Sequence, residues 1–298
     1  MPENQFLDPA GLALVSRMQL VARRAVDGFL SGVHPSPYHG SSVEYADHRP
    51  YTIGDEIRTI DWKLLAKTNK TYVKLFEDQT NVRATIILDQ SRSMSFKSDD
   101  ATMTKFEYGG YLAASLCYLM FRQNDAVGFA LVDDQVRQYM PARSTASYFR
   151  RMIELLAAAA PSSATAIGPA LHDVAARLKG RGIVIFISDM IDDVQRVIDG
   201  LSHFKHQRND VIVFQLIDPA ELAFPYDRLT RFKDMEGAGT VLTHPRSVRK
   251  EYLKRLEAFL ARCRTDCLER GMSYELLPTQ TPYEKALSAY LEKRKKMK

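Results

Sequence analysis

The first 71 residues and the rest of the chain differ in their pattern of apolar and polar positions. Apolar residues recur at helical spacing from Val15 to Phe29, and Pro9 suits the first turn of a helix that ends near Gly32. Residues 33–70 contain three prolines and two glycines among aromatic and charged residues, which is typical of short strands and turns. We therefore predict an N-terminal extension over residues 1–71, made of one helix followed by short strands and turns.

From residue 72 onward, predicted strands alternate with predicted helices. Two apolar runs, Ala84–Leu88 and Ile183–Ile187, have the character of strands that are buried on both faces of a parallel sheet. The other strands are predicted at residues 72–76, 126–132, 135–139, 211–217 and 273–277, and the helices at 105–122, 146–159, 167–178, 194–204, 248–269 and 282–293. This alternation predicts a doubly wound α/β domain over residues 72–298, with a mostly parallel sheet between two layers of helices.

Composition and charge narrow the classes of function. With 45% apolar and 26% charged residues, this is an ordinary globular sequence. The net charge of +5 partly reflects a basic run at residues 293–298, and no dense basic face with interleaved aromatic residues is evident, so we predict no nucleic-acid binding. The three cysteines are odd in number and lack a second Cys or His pair at metal-ligand spacing, which argues against disulfides and against a thiolate metal site.

The sequence shows no pattern typical of export or membrane insertion. Its N-terminus has no basic stretch leading into an apolar one. The longest apolar run, Tyr111–Phe121, is about half of the roughly 20 residues that a membrane-spanning helix requires. We therefore expect a cytoplasmic protein without direct membrane insertion.

Oxygen-bearing side chains follow the two most apolar strands. Asp89, Ser91 and Ser93 come directly after the first, Asp189 comes after the second, and Thr165 precedes the helix that begins at residue 167. In doubly wound sheets, ligands bind outside the carboxyl ends of the strands. The pattern predicts a divalent cation site for Mg²⁺, Mn²⁺ or Ca²⁺, because carboxylate and hydroxyl oxygens suit these hard ions. The alternative is that the hydroxyls only cap helices and turns.

The charge of this candidate set indicates a use for the cation. Two carboxylates balance one dication, while hydroxyls and waters complete about six oxygen ligands. A charge-balanced ion with an open position can accept one more carboxylate. The predicted function is therefore the binding of a client protein that offers an acidic residue.

The candidate ligands resemble the metal-ion-dependent adhesion site of von Willebrand factor A-type domains, position by position. Other segments are similar to those of the bacterial family called domain of unknown function 58. These segments are Gly40–Tyr45, Arg49–Tyr51, Gly54–Trp62, Asp218–Glu221, Phe224–Pro225 and Asp234–Glu236. The resemblance therefore spans most of the chain.

This resemblance implies a von Willebrand A-like fold and favours Mg²⁺ as the ion. It also implies a non-enzymatic role beside a MoxR-type AAA+ ATPase, in chaperone-like maturation or assembly. Many members of the family carry transmembrane helices near the N-terminus, and this sequence shows none. That departure leaves open whether the protein is associated with a membrane through a partner.

The upstream signature places opposite charges around an aromatic residue. The charges alternate in sign around Tyr51 and Trp62, in the order Glu44, Arg49, Asp55, Arg58 and Asp61. The favoured interpretation is a salt-bridge and aromatic cluster that docks the extension against the α/β domain. In the alternative, Arg49 and Arg58 present a surface that binds an anion or a partner.

Motifs of common enzymes are missing from the sequence. It contains no Gly-x-Ser-x-Gly elbow, no His-Glu-x-x-His helix and no Walker A loop, so we do not expect it to hydrolyse ATP by itself. Metal-assisted phosphoester hydrolysis at Asp89 and Asp189 ranks below adhesion, because no general base or second metal can be named. A third hypothesis is a structural scaffold that binds partners without metal.

Overall fold

A computed structural model of the protein describes residues 9–32, 47–52, 60–68, 71–75, 82–161, 166–233 and 239–295. The strands in these parts of the chain are β1 (Asp47–Pro50), β2 (Tyr72–Leu75), β3 (Arg83–Asp89), β4 (Ala126–Val132), β5 (Val136–Arg143), β6 (Ile183–Ser188), β7 (Asp210–Ile217), β8 (Thr230–Lys233), β9 (Thr240–Thr243) and β10 (Ser273–Pro278). The helices are α1 (Pro9–Gly32), α2 (Trp62–Thr68), α3 (Lys105–Arg122), α4 (Ala146–Ala158), α5 (Ile167–Arg177), α6 (Val194–His206), α7 (Pro219–Ala223), α8 (Pro245–Glu269) and α9 (Glu284–Lys295), with a short 3-10 helix over Arg92–Ser95.

Six of these strands form one sheet in the order β10-β7-β6-β3-β4-β5. All neighbouring pairs are parallel except β4 and β5, which are antiparallel. The order reverses at β3, which has β4 on one side and β6 on the other. This is the doubly wound, mostly parallel α/β sheet that the sequence predicts.

The sheet is buried on both faces because its central strands are apolar on both faces. Successive side chains of a strand point to opposite faces. In β3, Ile86 packs into one hydrophobic cluster and Ile87 into the other, and neither is exposed to solvent. The first cluster includes residues of α1, α3, α4 and α9, and the second includes residues of α5, α6 and α8.

Helix α1 packs with the α/β core. Its residues Met18, Ala22 and Val26 recur every four positions, so they share one face of the helix, and all three are buried in the first cluster. The chain forms two compact units, one containing α1 and everything from residue 82 onward, and the other containing residues 35–81. The units therefore divide the chain differently from the predicted boundary at residue 71.

Within the unit at residues 35–81, β1 pairs with β2 in antiparallel register. Asp61 precedes α2, accepts a hydrogen bond from the Leu64 amide at 3.1 Å and is 4% exposed, which is the role of an N-cap residue. Trp62 begins α2 and is 58% exposed. Arg49 lies in β1, where the structure describes its backbone alone, and Arg58 lies outside the described residues. The predicted charge cluster therefore stays a prediction.

In the parts of the chain that the structure describes, no helix is both long enough and apolar enough to span a bilayer.

Candidate metal centre

Asp89 is the last residue of β3 and its side chain is completely buried. Its Oδ1 accepts a hydrogen bond from the Ser91 amide at 2.7 Å, and its Oδ2 accepts one from the Ser188 hydroxyl at 2.6 Å. Ser188 is the last residue of β6, the neighbouring parallel strand. The carboxylate of Asp89 is therefore held in place from two adjacent strand ends.

A chain of hydroxyls leads from the β3 loop to Asp189. The Ser91 and Ser93 hydroxyl oxygens lie 3.1 Å apart, and the Ser93 hydroxyl donates to Asp189 Oδ1, also at 3.1 Å. The 3-10 helix after β3 turns the chain so that Ser93 faces the β6 end. The structure thus brings together four of the five predicted ligands, and the fifth, Thr165, lies outside the described residues.

The spacing of these oxygens fits a small divalent cation. Mg²⁺ takes octahedral oxygen ligands at 2.0–2.1 Å, which separates neighbouring ligand oxygens by about 2.9 Å. The hydroxyl and carboxylate oxygens of Ser91, Ser93 and Asp189 lie 3.1 Å from their neighbours. No group of three or more His, Cys, Asp or Glu side chains that could hold a metal occurs among the described residues, so the serine hydroxyls are needed to complete this donor set.

The electrostatics of the site also favour a cation. The pKa of Asp89 is raised to about 7, first because the carboxyl is buried and second because Asp189 is negatively charged. Hydrogen bonds from Ser188 and Ser91 act in the opposite direction. Two buried carboxylates that repel each other form an arrangement that a bound dication would stabilise.

Lys105, at the start of α3, is a member of this site that the sequence analysis missed. Its ammonium Nζ lies 2.7 Å from Asp189 Oδ2 and 3.0 Å from Glu221 Oε1, and the residue is fully buried. Burial alone would lower the pKa of Lys105, but the two carboxylates outweigh it and the pKa is raised. A cation in the first turn of a helix opposes the helix dipole, and that misfit was the available signal.

Glu221 reaches Lys105 from the end of β7. Asp218 and Glu221 form a capping box at the start of α7, in which Glu221 Oε2 accepts from the Asp218 amide at 2.8 Å. Asp218 Oδ2 also accepts from the Ser98 amide at 3.0 Å. The network ties the loop after β3 to the ends of β6 and β7. The helix α7 was not predicted from the sequence, although an Asp-Pro pair followed by Glu is a helix-start signal that could have indicated it.

The order and direction of the strands define the chain as a doubly wound, mostly parallel α/β domain. The chain belongs to the family described as "Protein of unknown function DUF58", which matches residues 47–259.

Among its relatives, the uncharacterized protein Rv1480 of Mycobacterium tuberculosis is 22% identical, over 73% of this chain and 68% of that protein. Two solved structures are similar. One is an aerotolerance-related membrane protein from Bacteroides fragilis, at 19% identity and a TM-score of 0.47, covering 71% of this chain and 99% of that one. The other is the conserved hypothetical protein BatB from Bacteroides thetaiotaomicron, at 17% identity and a TM-score of 0.45, covering 72% and 99%.

Proposed function

We propose that the protein is a metal-dependent binding protein, an adaptor that captures an acidic side chain of a client and catalyses no reaction. The observation that carries this proposal is the convergence of Asp89, Ser91, Ser93 and Asp189 at the ends of β3 and β6, with neighbouring oxygens 3.1 Å apart. Thr165 is the further ligand that the family resemblance implies.

Each side chain has a distinct part in this function. Ser188 and the Ser91 amide fix both oxygens of Asp89. Lys105 holds Asp189 Oδ2, which leaves Oδ1 facing Ser93. Such outer partners orient metal ligands and tune their affinity. A bound divalent cation, which we take to be Mg²⁺, supplies the positive charge that attracts the carboxylate of the client.

The same geometry favours binding over hydrolysis. Catalysis by a metal-activated water requires a general base within hydrogen-bonding reach. The described side chains bonded to the two candidate carboxylates are serine hydroxyls and the ammonium of Lys105. Since Lys105 is held between Asp189 and Glu221, neither kind of group is placed to accept a proton from water.

The wider setting of this proposal comes from the family resemblance. We infer that the adaptor works with a MoxR-type AAA+ ATPase during chaperone-like maturation or assembly of a client. In this account the protein acts in the cytoplasm, or at a membrane when a partner holds it there.

A pull-down from native lysate tests the proposal. Wild type, Asp89→Ala and the control Asp173→Ala are compared, each with Mg²⁺ and with EDTA, after circular dichroism has shown that all three are folded. Asp173 is an exposed residue of α5. We expect an AAA+ ATPase or its client to be retained by wild type and control with Mg²⁺, and lost with EDTA or with Asp89→Ala. Retention that neither EDTA nor Asp89→Ala reduces would instead favour the metal-independent scaffold.

The same preparations decide the enzymatic alternative. Turnover of a generic phosphomonoester or phosphodiester that requires Mg²⁺ or Mn²⁺, and that Asp89→Ala abolishes, would identify a phosphoesterase. Our proposal predicts no such turnover with either ion.

A further inference from the structure

A groove opens directly beside the candidate metal centre. Its volume is about 280 Å³, and it lies between the ends of β6 and β7 and the N-terminal half of α8. Asp189 lines the groove and is also a candidate metal ligand, so the two features adjoin. Its apolar lining residues include Ile191, Tyr252, Leu256 and Phe259.

The apolar face of α8 is completely buried at one end only. Tyr252, Leu256, Phe259, Cys263 and Cys267 follow one another at spacings of four, three, four and four residues, which places them on one face of the helix. Cys263 and Cys267 are completely buried in the second hydrophobic cluster. The first three are half-buried: Phe259 packs against that cluster, Tyr252 packs against Phe224 with ring centroids 4.5 Å apart, and all three line the groove.

The opposite wall of the groove is fixed to the metal ligand. Ile191 is 42% exposed, and its amide donates to Asp189 Oδ1 at 3.1 Å. Gln215, which is buried in β7, donates from Nε2 to the Asp189 carbonyl at 3.0 Å and accepts from the Tyr274 hydroxyl at 2.7 Å. These bonds preform the groove, as is usual for binding clefts.

Charge at the rim indicates what kind of chain fits there. The first eleven residues of α8, residues 245–255, carry five basic side chains and one acidic side chain. Arg249 and Arg255 flank the apolar stripe of α8, whereas Lys250 and Lys254 lie on the opposite face of the helix. Arg255 also lines the groove and forms an ion pair with Glu251 at 2.8 Å. The positive bank beside the groove therefore consists of Arg249 and Arg255, and it attracts an acidic segment of a partner and disfavours a basic one.

We propose that the groove binds an apolar side chain of the same client segment that presents its acidic side chain to the metal centre. This inference rests on the proposed function and extends it, because it names the recognised sequence type. The segment carries one Asp or Glu for the cation, an aliphatic or aromatic residue within a few positions of it, and further acidic residues that face the bank on α8.

Selection from a displayed random peptide library, with the full chain as bait in Mg²⁺, provides the probes. We expect the selected peptides to share an acidic residue with an aliphatic or aromatic residue one to three positions away. The best peptide and its analogue with alanine at the apolar position are then synthesised, and their binding is measured by fluorescence polarisation.

Groove variants separate this proposal from the proposed function. Ile191→Ser alters an exposed wall residue, Leu256→Ala enlarges the groove, and Leu242→Ser on β9 is the control because Leu242 is exposed and absent from the lining. Losing the burial of one apolar side chain weakens binding about five- to tenfold. We expect both groove variants to bind the parent peptide about five- to tenfold more weakly than wild type, and the control to bind it as wild type does. The alanine analogue should lose much less affinity when the groove is altered, because it has no apolar side chain to bury there.

The possible contrary results separate a failure of the groove proposal from a failure of the proposed function. If Asp89→Ala abolishes binding but the peptides show no apolar preference, or if both groove variants bind as wild type, the groove proposal is wrong and the metal function stands. Competition by polyglutamate as strong as that by the selected peptide also overturns the groove proposal. Peptide binding that survives Asp89→Ala and EDTA overturns the proposed function, and a selection without metal-dependent acidic binders overturns both.

Discussion

Replacing Lys105 with methionine removes the buried ammonium group beside the candidate metal centre while keeping most of the side-chain volume. The Lys105 side chain is 1% exposed and bonds to Asp189, which is 2% exposed, and to Glu221, which is 18% exposed. After the substitution Asp189 keeps a buried charge without its ion-pair partner. Glu221 can regain hydration because it is nearer the surface.

The size of the effect follows from the contact distance. At 2.7 Å and an effective dielectric constant of about 20, the attraction between Lys105 and Asp189 is about 6 kcal/mol. Part of that attraction offsets the cost of burying the two ions. Breaking a buried pair from one side typically costs about 3–5 kcal/mol. Since Glu221 is partly hydrated, we expect the lower end, a loss of about 3 kcal/mol in the free energy of unfolding.

Urea denaturation in EDTA, followed by far-UV circular dichroism, measures this loss. The natural control is Lys285→Met, which removes a surface ion pair to Glu275 at 3.3 Å where the lysine side chain is 53% exposed. Exposed pairs contribute about 0–1 kcal/mol. A loss for Lys105→Met no larger than for Lys285→Met would refute the assigned electrostatic role. Mg²⁺ should restore part of the lost stability, because the cation would compensate Asp189.

Two further predictions concern the core. A Cβ on Gly109 of α3 would lie 2.9 Å from a methyl carbon of Leu88, whereas a Cβ on Gly110 would meet nothing closer than 3.5 Å. We therefore expect Gly109→Ala to lower the free energy of unfolding by about 1–3 kcal/mol and Gly110→Ala to raise it by up to about 1 kcal/mol. Thermal denaturation measures both changes. Equal effects of the two alanines would contradict this packing. Burial raises the pKa of Cys263 and of Cys267 to about 12. Because the thiolate is the reactive form, a thiol reagent should modify both cysteines slowly at neutral pH and faster toward pH 12. In denaturant the modification should be rapid. Rapid modification of the native protein at pH 7 would show that these thiols are accessible.

Elements in which local and global signals agree could be predicted closely from the sequence. The predicted bounds of α3 and β4 coincide with the observed ones. Thr104 and Glu107 form a capping box at the start of α3, and β4 is a short apolar run between polar residues. By contrast, α2 and the β8–β9 hairpin were missed, since these short elements lack a continuous apolar run such as that of β4.

The candidate site likewise contains residues that could be placed from the sequence and one that could not. Asp89, Ser91, Ser93 and Asp189 could be placed together, because the carboxyl ends of neighbouring parallel strands meet at one sheet edge. The misfit with the helix dipole marks Lys105 as unusual, but its partners could not be predicted, since they come from the ends of β6 and β7 and only the tertiary fold brings them to α3. The groove likewise depends on how far α8 covers the sheet, which the helical stripe alone does not show.

The most direct test of the metal centre is a calorimetric titration of the full chain with Mg²⁺ and with Mn²⁺. Wild type, Asp89→Ala and Asp173→Ala are first stripped with EDTA and then dialysed into the same buffer. We predict saturable binding of one ion per chain in wild type and in the Asp173→Ala control, and loss of that binding in folded Asp89→Ala. Absence of saturable binding in wild type, or binding that Asp89→Ala leaves unchanged, would contradict the assignment of a cation to this site.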